Sequence, residues 1–468
     1  MLHKKNIFFL FASIIFLAAF YLYNPFALYF QSDDFIHINW SREGIIFQDN
    51  SFRPVCDISI MLDYFLYGKN AWGFHCTNLI LHLIASVLTG YLCGIFVEKF
   101  FYKNAQTRIT SISCGIVFFI YASHSEAVFW ILGRSAILGT IFSLLFIIGF
   151  LQKNKSRKFV FLYIITWILA LLSYESCWVL PVFVFMYSFV DTDKNKWKHL
   201  AVVLIIFIAY IFTRYYFIRQ VLGNYEGETI FSGDWKMLIL HFLFLITRSF
   251  LPWYKENVVS FFGLIVLFLF LAILFFSLQK TIRKKAGFIF ILFVVSLAPY
   301  ISLGIDTNGV EGERFLYFPT VFLCIFILMI IHFSTIKIFY KKIWLFLCCV
   351  LQLLILQENS KNQQFAGDLV RKILHEISAV DVSKKIIVKD LPQCQYGALI
   401  FRDGLPEATG WLIHPKLGKN IVIVSLRSEV LPLEQNYKVQ YLKVESNDTV
   451  LFKFSDSVLL VSMSDISR

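Results

Sequence analysis

The sequence predicts an all-α polytopic membrane protein ending in a small α+β domain, and three observations carry that reading. The 468-residue chain is 58% hydrophobic and only 16% charged, with a mean hydropathy of +0.68. Soluble domains carry about a quarter charged residues, so an ordinary cytosolic enzyme is excluded, and so is a disordered or collagen-like chain. Apolar runs close to the about 20 residues that a bilayer core demands recur along the first three-quarters of the sequence. After residue 357 that pattern stops, and short strand-like runs replace it.

Eleven runs read as true spans: 5–23, 76–97, 109–122, 135–151, 159–174, 177–190, 199–217, 258–279, 286–303, 315–334 and 338–357. The first follows Lys4-Lys5 and resembles a signal peptide. No small-residue cleavage site follows it, so it is expected to stay as an anchor. Aromatic abundance, with 53 phenylalanines and 22 tyrosines, suits lipid-facing helices with rings at the headgroups.

Basic residues set the orientation. One set of connections holds nineteen lysines and arginines, from Lys4 and Lys5 to Lys341 and Lys342, against Glu98, Asp191 and Asp193. The alternate connections are mainly acidic. The basic set is therefore expected in the cytoplasm, with the N-terminus, in a cell inner membrane. This placement of the charges also explains the net +12 without a nucleic-acid partner. One apolar stretch, 236–251, joins two connections that both need to be outside, so it reads as a re-entrant or interfacial helix.

The chain divides into 1–357, the membrane domain, with a first outer loop at 24–75, and 358–468, an extracytoplasmic α+β domain. In the latter, Phe365, Leu369, Ile373 and Ile377 mark one stripe of an amphipathic helix over 358–377. Strand-like runs follow at 386–388, 398–401, 421–424, 439–442 and 450–454, with a hairpin turn at 445–449. The nine cysteines lie mostly in apolar runs and form no ligand pattern, so neither structural zinc nor an essential disulfide is expected.

Chemistry is sought at the outer ends of the spans. The first loop is too long and polar for a mere connection, and it contains Asp33-Asp34 and Arg53. A carboxylate there can take a proton from a hydroxyl, two can hold a divalent cation, and the pair can also be a solvated helix cap. His75, Asn78 and His82 open the second span, His124 and Glu126 end the third, and Arg134 opens the fourth. Tyr174 and Glu175 end the fifth, Glu313, Arg314 and Tyr317 open the tenth, and 236–251 adds His241 and Arg248. Each has a bland alternative: His82 as a core histidine, Arg134 and Arg314 snorkelling to headgroups, Glu126 and Glu175 as their structural partners. Gathered on one face, where ionisable groups are costly, they read together as an outward cavity for an anionic lipid-linked ligand and a hydroxyl-bearing acceptor.

The ordered motifs Asp33-Asp34, FRPV with LDYFLYGKNAWGFHCTNLILHLI, HSEAVFWILGRSAIL, SYES and GERFLYFPT resemble one family over about residues 1–335. They are similar to GT-C glycosyltransferases, in the branch of the tetratricopeptide-bearing O-mannosyltransferases and their bacterial relatives. The segment from Leu391-Pro392 to Arg402-Asp403-Gly404-Leu405 also resembles the tail of some bacterial members. The chain departs from the eukaryotic branch in lacking tetratricopeptide repeats, in Phe52 and in Ser125.

That resemblance implies a polyprenyl-phosphate-linked sugar donor, membrane lipids, and a protein, lipid or glycan acceptor. It implies Asp33 as the base, with Asp34 as neighbour and substitute, and inversion at the sugar. Arg314 is the first candidate for the departing phosphate, then Arg134 and Arg248. Arg53, His75, Asn78, His82, His124, Glu126, Tyr174, Glu175, His241, Glu313 and Tyr317 would line the sugar and acceptor pocket. A divalent cation at Asp33 and Asp34 stays open. Competing readings are a transporter or flippase for lipid-linked sugars, an envelope-glycan polymerase or ligase, and a scaffold with an outer sensor domain.

Overall fold

A computed structural model describes residues 13–14, 17–18, 20–46, 52–100, 105–152, 156–190, 193–219, 235–251, 258–305, 311–395, 398–427, 440–446 and 448–455. Most of the expected first span, 5–23, lies outside the described residues.

The first outer loop folds into two helices, α1 (Asp34–Arg42) and α2 (Pro54–Tyr67). Proline at the first turn of α2 lacks only an N–H that has no intrahelical partner, and Gly68 ends the helix at a φ of 57°. There follow α3 (Ala71–Phe100), α4 (Ala105–Phe119), the short α5 (Ser125–Phe129), α6 (Arg134–Leu151), α7 (Arg157–Leu171), α8 (Leu180–Ser188) and α9 (Lys196–Ile218). Then come α10 (Trp235–Phe250), α11 (Val258–Phe276), α12 (Lys280–Ser296), α13 (Pro319–Phe333) and the 41-residue α14 (Ile338–Ser378).

The expected count of eleven spans is corrected. Among the described residues four helices are long and apolar enough to cross a bilayer: Ala71–Lys99, Ile131–Leu151, Lys196–Ile218 and Ile338–Ser378. A fifth arises if Thr107–Phe119 and Ala122–Phe129, bent by 54° at their junction, count as one broken span. Shorter apolar helices occupy Glu175–Ser188, Leu267–Phe276 and Pro319–Phe333. The physical reason is that polar span ends form 3-10 turns, at Ala122–His124, Glu175–Val179 and Glu313–Leu316, which shorten the regular helix inside each run. Residue 357, drawn as a domain edge, falls inside α14, which runs without a break from the apolar segment into the amphipathic one.

The C-terminal domain holds a four-stranded sheet in the order β5-β1-β8-β7, from β1 (Lys385–Lys389), β5 (Ile421–Ile423), β7 (Gln440–Glu445) and β8 (Thr449–Ser455). β1 runs parallel to both β5 and β8, and β7–β8 is the expected hairpin, with Glu445 opposite Val450. Two short pairs join β2 (Leu391–Pro392) to β6 (Leu426–Arg427) and β3 (Cys394–Gln395) to β4 (Ala398–Leu399), and two unanticipated helices follow β4: α15 (Leu405–Leu412) and α16 (Pro415–Lys419). The stripe Leu369, Ile373 and Ile377 of α14 is buried in the same cluster as Ile386, Val388, Leu405 and Phe452, as its period of four predicts. That cluster also contains Phe30, Phe35, Ile38, Cys56, Ile60 and Phe74. The first loop and the C-terminal domain therefore share one core.

Inside the bundle, α3 and α4 approach backbone to backbone through small residues, the packing that replaces hydrophobic drive in lipid. A methyl group on Gly90 would stand 2.6 Å from the Ser111 carbonyl oxygen, and one on Gly115 would stand 2.9 Å from that of Ser86. Gly90→Ala is expected to lower stability by about 1–3 kcal/mol through overpacking. Gly287→Ala, whose new methyl meets only Phe275 at 3.9 Å, leaves it unchanged. Thermal unfolding of both variants in detergent checks the pair.

Candidate active site

Asp33 stands at the N-terminal end of α1, with its side chain 22% exposed. Ser32 Oγ donates to its Oδ1 at 2.8 Å, and Arg402 Nη2 donates to its Oδ2 at 3.2 Å. Ser32 adopts a φ of 41°, which turns the chain sharply before the helix. Asp34, one residue on, faces the opposite way: it is buried and accepts the Gln31 N–H on Oδ2 at 3.0 Å. Burial holds the Asp34 carboxyl well above the usual range. Asp33 faces a guanidinium, and among the described residues no group of three or more metal-ligating side chains gathers at the pair. Across the next turn His37 is neutral, because burial pushes its pKa down to about 4 against the pull of Asp33.

Glu175 is clasped by two arginines. Arg53 reaches Oε2 through Nη2 at 2.9 Å and Nε at 3.1 Å, while Arg214 reaches Oε1 at 3.1 Å. The Arg53 guanidinium also covers the Tyr174 ring at 4.7 Å. From there rings run in sequence: Tyr174 stacks on Tyr300 with centroids 6.3 Å apart, and Tyr300 stacks on Phe315 at 4.6 Å. Arg314 closes the line, 4.8 Å from the Phe315 centroid and 5.1 Å from that of Trp130. The three rings are buried, so this line forms the packed wall between the two cations. Arg314 itself is held by Glu126, through a side-chain ion pair and through its own N–H to Oε2 at 2.7 Å.

Other expected site residues form the frame. Arg134 is fully buried and all five of its N–H groups are used: Nε on Asn78 Oδ1 at 2.7 Å, Nη1 on Ser59 O and Oγ at 3.1 Å each, and Nη2 on Asp63 at 2.5 Å and Phe74 O at 3.0 Å. Asn78 in turn donates to the carbonyls of Val128, Trp130 and Ile131. His82 lies deep in the bundle, its Nδ1 2.6 Å from Tyr317 Oη and its Nε2 3.0 Å from the Phe119 carbonyl. His124 is equally enclosed between the Phe118 carbonyl and Thr320 Oγ1. His82, His124 and Tyr317 thus come together as a core cluster, away from Asp33. Arg248 at the end of α10 sits 3.5 Å from buried Glu313, His241 contacts the Ile301 carbonyl at 3.1 Å, and His75 contacts that of Tyr29 at 3.3 Å.

Five residues of this region were not among those singled out in the sequence: Asp57, Asp63, Arg214, Glu311 and Arg402. Arg214 had a legible signal, since a lone arginine within the apolar run of α9 is costly unless paired. Asp57 and Asp63 sit among the polar positions of α2 with nothing local to distinguish them. Glu311 and Arg402, 2.5 Å apart, are joined only by the tertiary fold.

No family model matches the chain. It is 35% identical over 106 residues to human protein O-mannosyl-transferase TMTC1, covering 23% of this chain and 11% of that protein. Against protein O-mannosyl-transferase F38B6.6 of Caenorhabditis elegans it is 35% identical over 118 residues, covering 25% and 16%. The matched stretch thus spans a small part of these relatives, at most 16% of their length. Among solved structures, apo ArnT from Cupriavidus metallidurans aligns with a TM-score of 0.52 at 11% identity, over 90% of this chain and 86% of that one. The same enzyme bound to undecaprenyl phosphate aligns at 0.50 and 10%, over 88% and 85%. The chain therefore shares the fold of ArnT.

Two outcomes follow from the site geometry. Asp63→Ala strands a buried guanidinium and is expected to cost about 3–5 kcal/mol, read as lost thermal stability and membrane abundance. Burial pushes the Asp57 carboxyl up to about 7, with nearby Arg53 opposing. The native state therefore binds that proton more tightly than the unfolded chain, whose carboxyl titrates near about 4, and stability falls as pH rises between the two values. Asp57→Asn is expected to be more stable than wild type at pH 8, with the difference shrinking as pH falls below about 7 and vanishing only near about 4 in melting series.

Proposed function

We propose that this protein is an inverting glycosyltransferase that moves a sugar from a polyprenyl-phosphate donor to an acceptor hydroxyl on the outer face of the membrane. The observation that carries the proposal is Asp33: a partly exposed carboxylate at the start of α1, bonded through both oxygens, in a fold shared with an enzyme solved with undecaprenyl phosphate bound. In this reading α10 lies at the interface and the C-terminal domain stands outside.

Asp33 accepts the acceptor hydroxyl proton as that oxygen attacks the anomeric carbon from the face opposite the phosphate. A new carbon–oxygen bond forms, the bond to the phosphate oxygen breaks, and its electron pair leaves with the polyprenyl phosphate. Configuration inverts. The departing phosphate gains charge, and a guanidinium fork meets it with permanent donors. Arg314 suits that role, being 15% exposed where Arg134 is sealed, and Arg248 is the second candidate. Arg134, with every donor used, is assigned to the frame instead. Arg53, Tyr174 and Glu175 flank the sugar and acceptor; His82, His124 and Tyr317 support the wall behind them.

A flippase or a glycan polymerase would use the same donor class. Intact-mass analysis of envelope glycans and glycoproteins separates them in strains lacking the protein, restored with wild type, or restored with Asp33→Asn at equal abundance. The expected result is an increment of one sugar with wild type and a fall of about 10²–10⁴-fold with Asp33→Asn, the scale of a lost general base. An increment of a whole glycan would indicate a polymerase or ligase. Full activity of Asp33→Asn would remove the proposed base.

A further inference from the structure

The reach of the C-terminal domain into the acidic motif is the feature with the widest consequence. Both oxygens of Asp33 are held by groups that the turn at 400–404 supplies or fixes. Arg402 bonds Oδ2 directly. Ser32, which bonds Oδ1, is itself fixed from both sides: its N–H donates to the Ile400 carbonyl at 2.9 Å, and its Oγ accepts the Asp403 N–H at 3.1 Å. The approach is too close for a side chain at residue 404. Gly404 has a φ of 84°, and a Cβ there would stand 2.5 Å from the Ser32 carbonyl oxygen. Behind the turn, Phe401 stacks on Phe35 at 5.8 Å, and Trp411 packs on Phe30 at 5.4 Å, so α1 and the turn pack together.

Arg402 faces more than one carboxylate. Its Nη1 bonds Glu311 at 2.5 Å, and its Nε lies 4.0 Å from Asp403. Glu311 is three residues before Arg314 in the chain, and only Gly312, at a φ of 90°, and Glu313 lie between them. One guanidinium therefore ties the segment bearing Asp33 to the segment bearing Arg314. Asp34 and His37 also lie close to Asp33, but the first is turned inward and the second is neutral. Arg402 is thus the cation directly bonded to the Asp33 carboxylate.

We infer that Arg402 is a positioning residue for the transfer reaction: it aims the Asp33 carboxylate and ties the segment that bears it to the segment bearing the arginine proposed to receive the phosphate. The inference rests on the function proposed above. It makes the extracytoplasmic domain a part of the active site, contributed in cis from about 370 residues along the chain. The contact is a single charge-assisted bond at 3.2 Å, made by one arm of a guanidinium whose other arm holds Glu311. Because Arg402 bonds the base directly and reaches the Arg314 segment only through Glu311, while Glu126 holds Arg314 itself, its loss should reduce transfer and spare donor-lipid binding.

The test uses the full-length chain, in the deletion strain and purified in detergent, as wild type, Arg402→Ala, Arg402→Lys and Asp33→Asn at matched abundance. In cells the sugar increment with Arg402→Ala is expected to drop at least about tenfold, the scale of one charged hydrogen bond, and Arg402→Lys is expected to recover a good part of it. Affinity of the purified protein for undecaprenyl phosphate, read by tryptophan fluorescence, should change by less than about twofold in both, with melting temperature unmoved. A wild-type increment from Arg402→Ala overturns the inference. So does a loss of undecaprenyl phosphate binding or of melting temperature in that variant, which would assign Arg402 to the donor or to the fold. Failure of lysine to restore transfer would refute the aiming role. The two proposals separate through Asp33→Asn: inactive beside a fully active Arg402→Ala, it leaves the function standing and this inference overturned, whereas fully active it sinks both.

Discussion

The structure around the candidate site depends on one buried guanidinium. Arg134 begins α6 at zero exposure, and its five bonds join α2 through Ser59 and Asp63 to α3 through Phe74 and Asn78. A buried charge is tolerable only when paired and fully hydrogen-bonded, and here both conditions are met. Asn78 extends the constraint by binding three carbonyls of the 128–131 turn. The outer loop is therefore fastened to the bundle at its base, and α1 has a fixed platform from which to present Asp33.

A second consequence concerns how the domains relate. Phe30, Phe35 and Ile60 of the first loop share a core with Phe401, Leu405 and Trp411. The hydrophobic surface that a small four-stranded sheet could bury by itself is limited, and the loop supplies the missing half. Burial of these rings fixes the 400–404 turn against Ser32, and polar contacts then follow. α14 serves both halves, since one continuous helix leaves the apolar bundle and gives its lower stripe to the domain core. That helix carries the chain without a break across the compositional change at 357.

Pairing also explains why so many ionisable residues gather at one end. Glu126 with Arg314, Glu175 with Arg53 and Arg214, and Glu313 with Arg248 each place a carboxylate beside a guanidinium in a poorly hydrated setting. Some of these pairs are frame and some border the aromatic array from Tyr174 to Phe315. Exposure separates them: Arg134 is sealed, whereas Arg314 and Arg53 keep 15% and 22% of their side chains open. The histidines divide likewise, and His82 and His124 prove to be core residues with both ring nitrogens engaged.

By itself the sequence determined the membrane class, the runs that become helices and the hairpin at 445–449. These follow from composition, period and local turn chemistry, which act over a few residues. It also determined the stripe on α14, because a period of four survives whatever the stripe packs against. The number of long helices was beyond it, since apolar runs do not reveal where polar ends wind into 3-10 turns. Equally hidden were the partnership of Asp33 with Arg402, 369 residues apart, and that of Arg134 with Asp63. Only the tertiary structure decided those, because a charged side chain's role is set by which opposite charge the fold brings within hydrogen-bond reach, and that distance is written in the packing of distant segments.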